Sequence, residues 1–148
     1  MAWETTQPVI VPVDFSGMSV DAVQTALQMA ADPKQVHVVH VVPNLDQIVP
    51  DIGADWNLPS DEERRAAVRG HFAEFLSKHG FEDVHEVVLD GQPGPEIAEY
   101  ASSIHAGLVV IPSHGYHGLK RFLLGSVAEK IVRLVECPVF VLRRQDAE

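Results

Sequence analysis

The chain has 148 residues, 46% hydrophobic and 22% charged, proportions that predict one globular domain spanning residues 1–148 and exclude a disordered chain. A formal net charge of −10 repels nucleic-acid backbones and anionic membranes, so neither is an expected partner. The single cysteine, Cys137, excludes an intrachain disulfide and fits a reducing compartment.

Met1 to Pro8 has no basic region followed by an apolar core, which predicts no signal peptide. No apolar run approaches the roughly 18 residues of a membrane-spanning helix, so the expected location is the cytoplasm. Val9 to Val13 is then a short β-branched run ending at Asp14. Val36 to Val42 is a second strand, Val84 to Leu89 a third, Leu108 to Ile111 a fourth and Val139 to Leu142 a fifth. These runs are almost continuously apolar, as strands are when a sheet is covered on both faces.

Helical patterns separate them. Ser16 or Ser19 caps a helix with Ala22, Ala26 and Ala30 at i+4 spacing beside Val23 and Leu27. Ser60 followed by Glu63 is a capping box, and Val68, Phe72, Phe75, Leu76 and His79 trace the face behind it. Gly94-Pro95 opens the third helix with proline at its permitted first position, and Ile97, Ala101 and Ile104 form its stripe. Gly125-Ser126 opens the fourth, whose Val127, Ile131, Leu134 and Val135 are expected to point inward. The alternation of five strands with four helices demands an α/β fold with a mostly parallel sheet and right-handed crossovers. Pro43 to Pro59, which holds Trp56, is the one long irregular stretch, expected to be either a functional lid or merely mobile.

In doubly wound sheets ligands bind beyond the carboxyl ends of the strands where strand order reverses. Asp14 sits at such an end, where an ionised carboxylate needs partners. It either contacts a ligand or caps the next helix. After the fourth strand come Ser113-His114-Gly115, nine residues, and Gly125-Ser126 at a helix start. Glycine allows close backbone approach, and a helix start offers free N–H groups and a positive dipole end to an anion. Between residues 112 and 144, six cations (Lys120, Arg121, Lys130, Arg133, Arg143, Arg144) face two anions (Glu129, Glu136), a local +4. That zone suits a phosphate-bearing ligand or is a solvated helix face.

Val11-Pro12-Val13-Asp14-Phe15-Ser16, Val38-Val39-His40-Val41, Ser113-His114-Gly115, Gly125 to Lys130 and Cys137-Pro138-Val139 together resemble the universal stress protein family, from Pro8 to Arg143. The resemblance implies a doubly wound, five-stranded parallel sheet in order 3-2-1-4-5. Two helices would lie on each face, an arrangement that is Rossmann-like and similar to adenine nucleotide alpha hydrolases. It implies a stress-response protein that binds ATP, with Mg²⁺, as a regulatory module. Pro12 and Asp14 would border adenine and ribose, Val41 would meet the adenine through its backbone, and Ile111 and Pro112 would flank the ribose. Gly115, Gly125, Ser126 and Val127 would hold the phosphates. The signature of the family's ATP-binding branch, Gly-x-x-Gly, nine residues, Gly-Ser/Thr, has Pro112 here in place of its first glycine, which removes a backbone donor and fixes φ near −65°. That feature favours the alternative, a member that does not bind ATP and acts through protein contacts.

His37 and His40 fall on opposite faces of a strand and cannot share a metal. His114 and His117 lack a third ligand. Cys137, without a Cys-x-x-Cys partner, reads as a small buried residue. No base accompanies Ser126 and no acidic pair is placed for catalysis, so neither catalytic residues nor a metal site are expected. Slow nucleotide hydrolysis is a third reading. The apolar Val139-Phe140-Val141-Leu142 strand, last in the chain and at a sheet edge, predicts a homodimer with Val141 near its own copy.

Overall fold

The computed structural model describes residues 4–44, 59–113 and 124–143. Strand β1 (Val9–Pro12) leads into helix α1 (Gly17–Met29), a short 3₁₀ turn at Pro33–Gln35, and strand β2 (Val36–Val42). Helix α2 (Asp61–Lys78), strand β3 (His85–Asp90), helix α3 (Pro93–Ser103) and strand β4 (Leu108–Pro112) follow. Helix α4 (Ser126–Leu134) and strand β5 (Val139–Leu142) complete the described chain. The sheet has the expected order, β3-β2-β1-β4-β5, and every pair is parallel.

The continuous apolar strands have their predicted cause, since alternate residues enter different cores. Val9, Val11, Val36 and Val38 pack with Ala22, Val23, Ala26, Phe72 and Phe75 of α1 and α2. Ile10, Val39, Val109 and Ile111 pack with Ile97, Ala101, Ala128 and Ile131 of α3 and α4. Each fully buried Val or Ile contributes about 1.5–3 kcal/mol. The alanines of α1 let its axis lie close to the sheet. Gly94 does the same for the helix pair, because a Cβ there would stand 2.7 Å from the Cβ of Lys130 on α4.

Several boundaries differ from expectation. Pro93 rather than Pro95 opens α3, with Gln92 as its cap, and β3 starts one residue late, at His85. Ser60 caps α2 as expected, its hydroxyl accepting the Glu63 N–H at 3.1 Å. The inward stripe of α4 is corrected: Ala128 and Ile131 are buried, while Val127 and Leu134 are 42% and 45% exposed. On a nine-residue helix the buried face is narrow, and residues one step either side of Ala128 and Val135 fall outside it. His79 of the expected α2 stripe is also exposed.

Candidate nucleotide site

The cleft begins with two prolines. In a strand the N–H and C=O of successive residues turn to alternate sides. Val13 donates to the Val39 carbonyl at 2.8 Å and Ser113 to the Leu142 carbonyl at 2.8 Å. Pro12 therefore faces β4 and Pro112 faces β1, across the same gap. Neither has an N–H to offer. Pairing of β1 with β4 ends at Ile10↔Val109, and beyond it the strands part. That is the switch point, and with no N–H to give neither proline can carry the ladder further.

A cavity of about 470 Å³ fills this opening. Val39, Ile97, Ile111 and Ile131 give it apolar walls, and Asp14, His40, Ser113 and Ser126 are its polar members. Of the residues singled out in the sequence, Pro12, Asp14, Val41, Ile111, Pro112, Gly125, Ser126 and Val127 all line it. Gly115, His114, His117 and Trp56 lie outside the described residues, as do Lys120, Arg121 and Arg144.

Asp14 borders the cavity and is also tied to α1. Its Oδ1 accepts the Ser16 N–H at 3.0 Å and the Ser19 hydroxyl at 2.8 Å, and its own N–H donates to that hydroxyl at 3.0 Å. Asp14 thus braces the start of α1 from a place on the cavity wall. Ser16 stands at the α1 cap position without making a side-chain cap bond.

Val41 turns its N–H and C=O to the same side as Val39, beyond the last bond from β1. On the opposite wall, Gly125 caps α4 with its carbonyl accepting from Glu129 at 2.9 Å, and its N–H donates to the Ser113 carbonyl at 2.8 Å. That N–H is engaged within the protein. The donors the helix start still offers are those of Ser126, Val127 and Ala128. Arg133 pairs with Glu129 on the solvent face of α4, the solvated-face reading of the basic zone.

The two strand histidines do lie on opposite faces. His37 is hydrogen-bonded through Nδ1 to the Tyr100 hydroxyl at 2.7 Å and stacks on His85. His40 meets the Val13 carbonyl and stacks on Phe15. No cluster of three His, Cys, Asp or Glu able to hold a metal occurs among the described residues. Cys137 is half-buried, and burial pushes its thiol pKa up.

The family model for the universal stress protein family matches residues 5–143. The chain belongs to the universal stress protein family. Universal stress protein MJ0531 of Methanocaldococcus jannaschii is 30% identical over 148 residues, covering 95% of this chain and 84% of that one. The solved structure of protein MJ0577 from the same organism superposes with a TM-score of 0.74 at 21% identity, over 97% of this chain and all of its own. A universal stress protein in complex with cAMP gives 0.58 at 22% identity, over 92% and 95% of the two chains.

Sequence reasoning about this universal stress protein missed the cavity wall contributed by α3. Pro93 and Ile97 line the cleft, but Ile97 read only as a core position. A helical stripe shows which face is buried and not which of its turns meets an opening. It also missed the rings behind the cleft, since an aromatic residue after a strand reads as packing.

Proposed function

We propose that the cleft binds an adenine nucleotide, ATP with Mg²⁺, and that the protein is a cytoplasmic stress-response binding module rather than a metabolic enzyme. The observation that carries this reading is the apolar cavity of about 470 Å³ opening between Pro12 and Pro112 onto the start of α4. Its walls suit a flat heteroaromatic base. Val41 offers an N–H donor and a C=O acceptor side by side, matching the N1 acceptor and N6 amino donor of adenine. Guanine presents the reverse order there, so the edge favours adenine. Asp14 is placed for ribose hydroxyls, and the N–H groups of Ser126 and Val127, with the Ser126 hydroxyl, for phosphate oxygens. The cAMP complex of a structural relative supports the ligand class.

The second reading, a member that acts through protein contacts without ATP, is favoured by Pro112, which withholds the donor that a glycine would supply. Calorimetry with Mg-ATP, together with mass spectrometry of nucleotide retained through native purification, separates the two. Saturable heat and a retained adenine nucleotide are expected. No heat at millimolar Mg-ATP overturns the ATP reading. Turnover of ATP without a partner would favour a slow hydrolase instead.

We also propose a homodimer through β5. Among the described residues its outer edge has no neighbour in the strand order, and Phe140 is 40% exposed beside it. An isologous pairing would cover this edge. Val141→Lys, which sets like charges across the two-fold axis, is expected to give monomers in sedimentation. An unaltered protein that is monomeric at tens of micromolar overturns the interface.

A further inference from the structure

Phe15 is an aromatic residue in the left-handed backbone region, with φ 66°. L-residues avoid that region unless their surroundings impose it, and such residues gather at functional sites. Here the surroundings do impose it. The Phe15 ring stacks on His40 with centroids 4.7 Å apart, and it meets Phe72 and Phe75 edge-on at 5.4 and 5.5 Å. Those partners belong to β2 and α2, so the ring is held between sheet and helix.

His40 is fixed from its other side. Its Nδ1 lies 2.7 Å from the Val13 carbonyl, and a carbonyl oxygen only accepts, so Nδ1 carries the hydrogen. That carbonyl has a second significance. In a parallel ladder whose last bond runs from Val13 N–H to the Val39 carbonyl, the next would run from Val41 N–H to the Val13 carbonyl. The imidazole takes that carbonyl instead, and the left-handed turn at Phe15 carries the chain away from β2.

We infer that Phe15 and His40 form a positioning pair that ends the β1–β2 ladder at Val39 and so sets both rims of the cleft. One rim is the backbone edge of Val41. The other is Asp14, adjacent to Phe15 and anchored by Ser16 and Ser19. His40 borders the cavity, but it acts through Val13. The inference rests on the proposed nucleotide site for its consequence in binding, and on the geometry of His40, Phe15 and Val13 for its cause.

The test compares His40→Phe, which keeps a flat ring against Phe15 and deletes the Val13 bond, with His40→Asn, whose amide donates from about the Nδ1 position. In the nucleotide-free proteins, amide hydrogen exchange at Val41 is expected to slow in His40→Phe, as its N–H joins the Val13 carbonyl, and to stay fast in His40→Asn. Calorimetry is expected to show ATP binding weakened about 2- to 12-fold in His40→Phe, the scale of one hydrogen bond, with the preference for ATP over GTP reduced. His40→Asn restores both. Should His40→Phe fail to fold, Phe15→Leu carries the same readouts with shifts in the same direction. Unchanged Val41 exchange in the folded variant overturns the positioning role whatever the nucleotide result. Absence of nucleotide binding by the unaltered protein overturns the proposed function and leaves the exchange measurement to decide this one.

Discussion

β2 and β3 stay paired through six positions, from His37↔His85 to Val42↔Asp90, whereas β1 and β4 part after two, Val9↔Leu108 and Ile10↔Val109. Both pairs are parallel and rich in valine, so strand propensity does not separate them. What separates them is the donor count at their carboxyl ends. The β2–β3 ladder continues to the bond from Gly91 N–H to the Val42 carbonyl at 3.0 Å. The β1–β4 gap is faced by Pro12 and Pro112, which have no N–H. A sheet opens where its ladder runs out of donors, and the cleft in this molecule follows from that local chemistry.

On the open side, the largest effect is expected at Gly125. Its N–H holds the Ser113 carbonyl and its carbonyl starts α4, so the end of β4 and the start of the helix meet on one small residue that lines the cavity. Gly125→Val fills that space with branched bulk while its β-region backbone, φ −62° and ψ 159°, remains open to valine. Nucleotide binding is expected to disappear in calorimetry while the melting temperature changes little. Retained binding with wild-type affinity would place the phosphates elsewhere.

The two sides also differ in how far the sequence disclosed them. Strand positions were legible because both faces of the sheet are buried, which leaves runs such as Val36 to Val42 without polar interruption. The strand order was not written in any local pattern and came with the family resemblance. At the site, proline, aspartate and glycine positions were legible because each residue type has a restricted use at a strand end or helix start. Val127 and Leu134 were misread, since two apolar residues a helical repeat apart look alike whether the helix end is covered or not. In the sequence, Phe15 stands out only as part of a motif. Its left-handed φ is a property of the packing around it, which no single-residue preference predicts.

On the closed side, His37 gives a smaller effect that depends on pH. Burial foremost, and then the charge on His85, hold its pKa below the usual 6.5. Folding therefore favours the neutral ring. Its contribution to stability is complete above pH 6.5, and it is lost as pH falls through the lowered folded value, because the unfolded chain takes up the proton first. His37→Gln keeps a hydrogen-bonding group for Tyr100 and removes the titration. The melting temperature of the unaltered protein is expected to drop more steeply between about pH 7 and pH 5 than that of the variant, within the range in which histidine titrates. Parallel curves would show that the stack with His85 does not govern the acid side of the stability profile.

The smallest effect is expected at Pro112. Its missing N–H would point into the gap toward β1, past the Ile10↔Val109 pair that ends the ladder, beside the place proposed for the ribose. Pro112→Gly returns one donor there. If the gap is ligand space, the new N–H meets the nucleotide, and affinity is expected to rise about 2- to 12-fold, the worth of one hydrogen bond. The variant should also melt slightly lower, since glycine loosens the unfolded chain. The opposite outcome is equally informative about the cleft. Pro12 still lacks a donor, but its carbonyl faces the gap as an acceptor, so a glycine N–H could draw β4 toward β1 and extend the ladder. Binding would then weaken while the melting temperature rose. A tighter ligand with a softer fold assigns Pro112 to the ligand's side of the gap. A weaker ligand with a stiffer fold assigns the proline to holding the two strands apart, and it would then be an adaptation of this site rather than a defect in its signature.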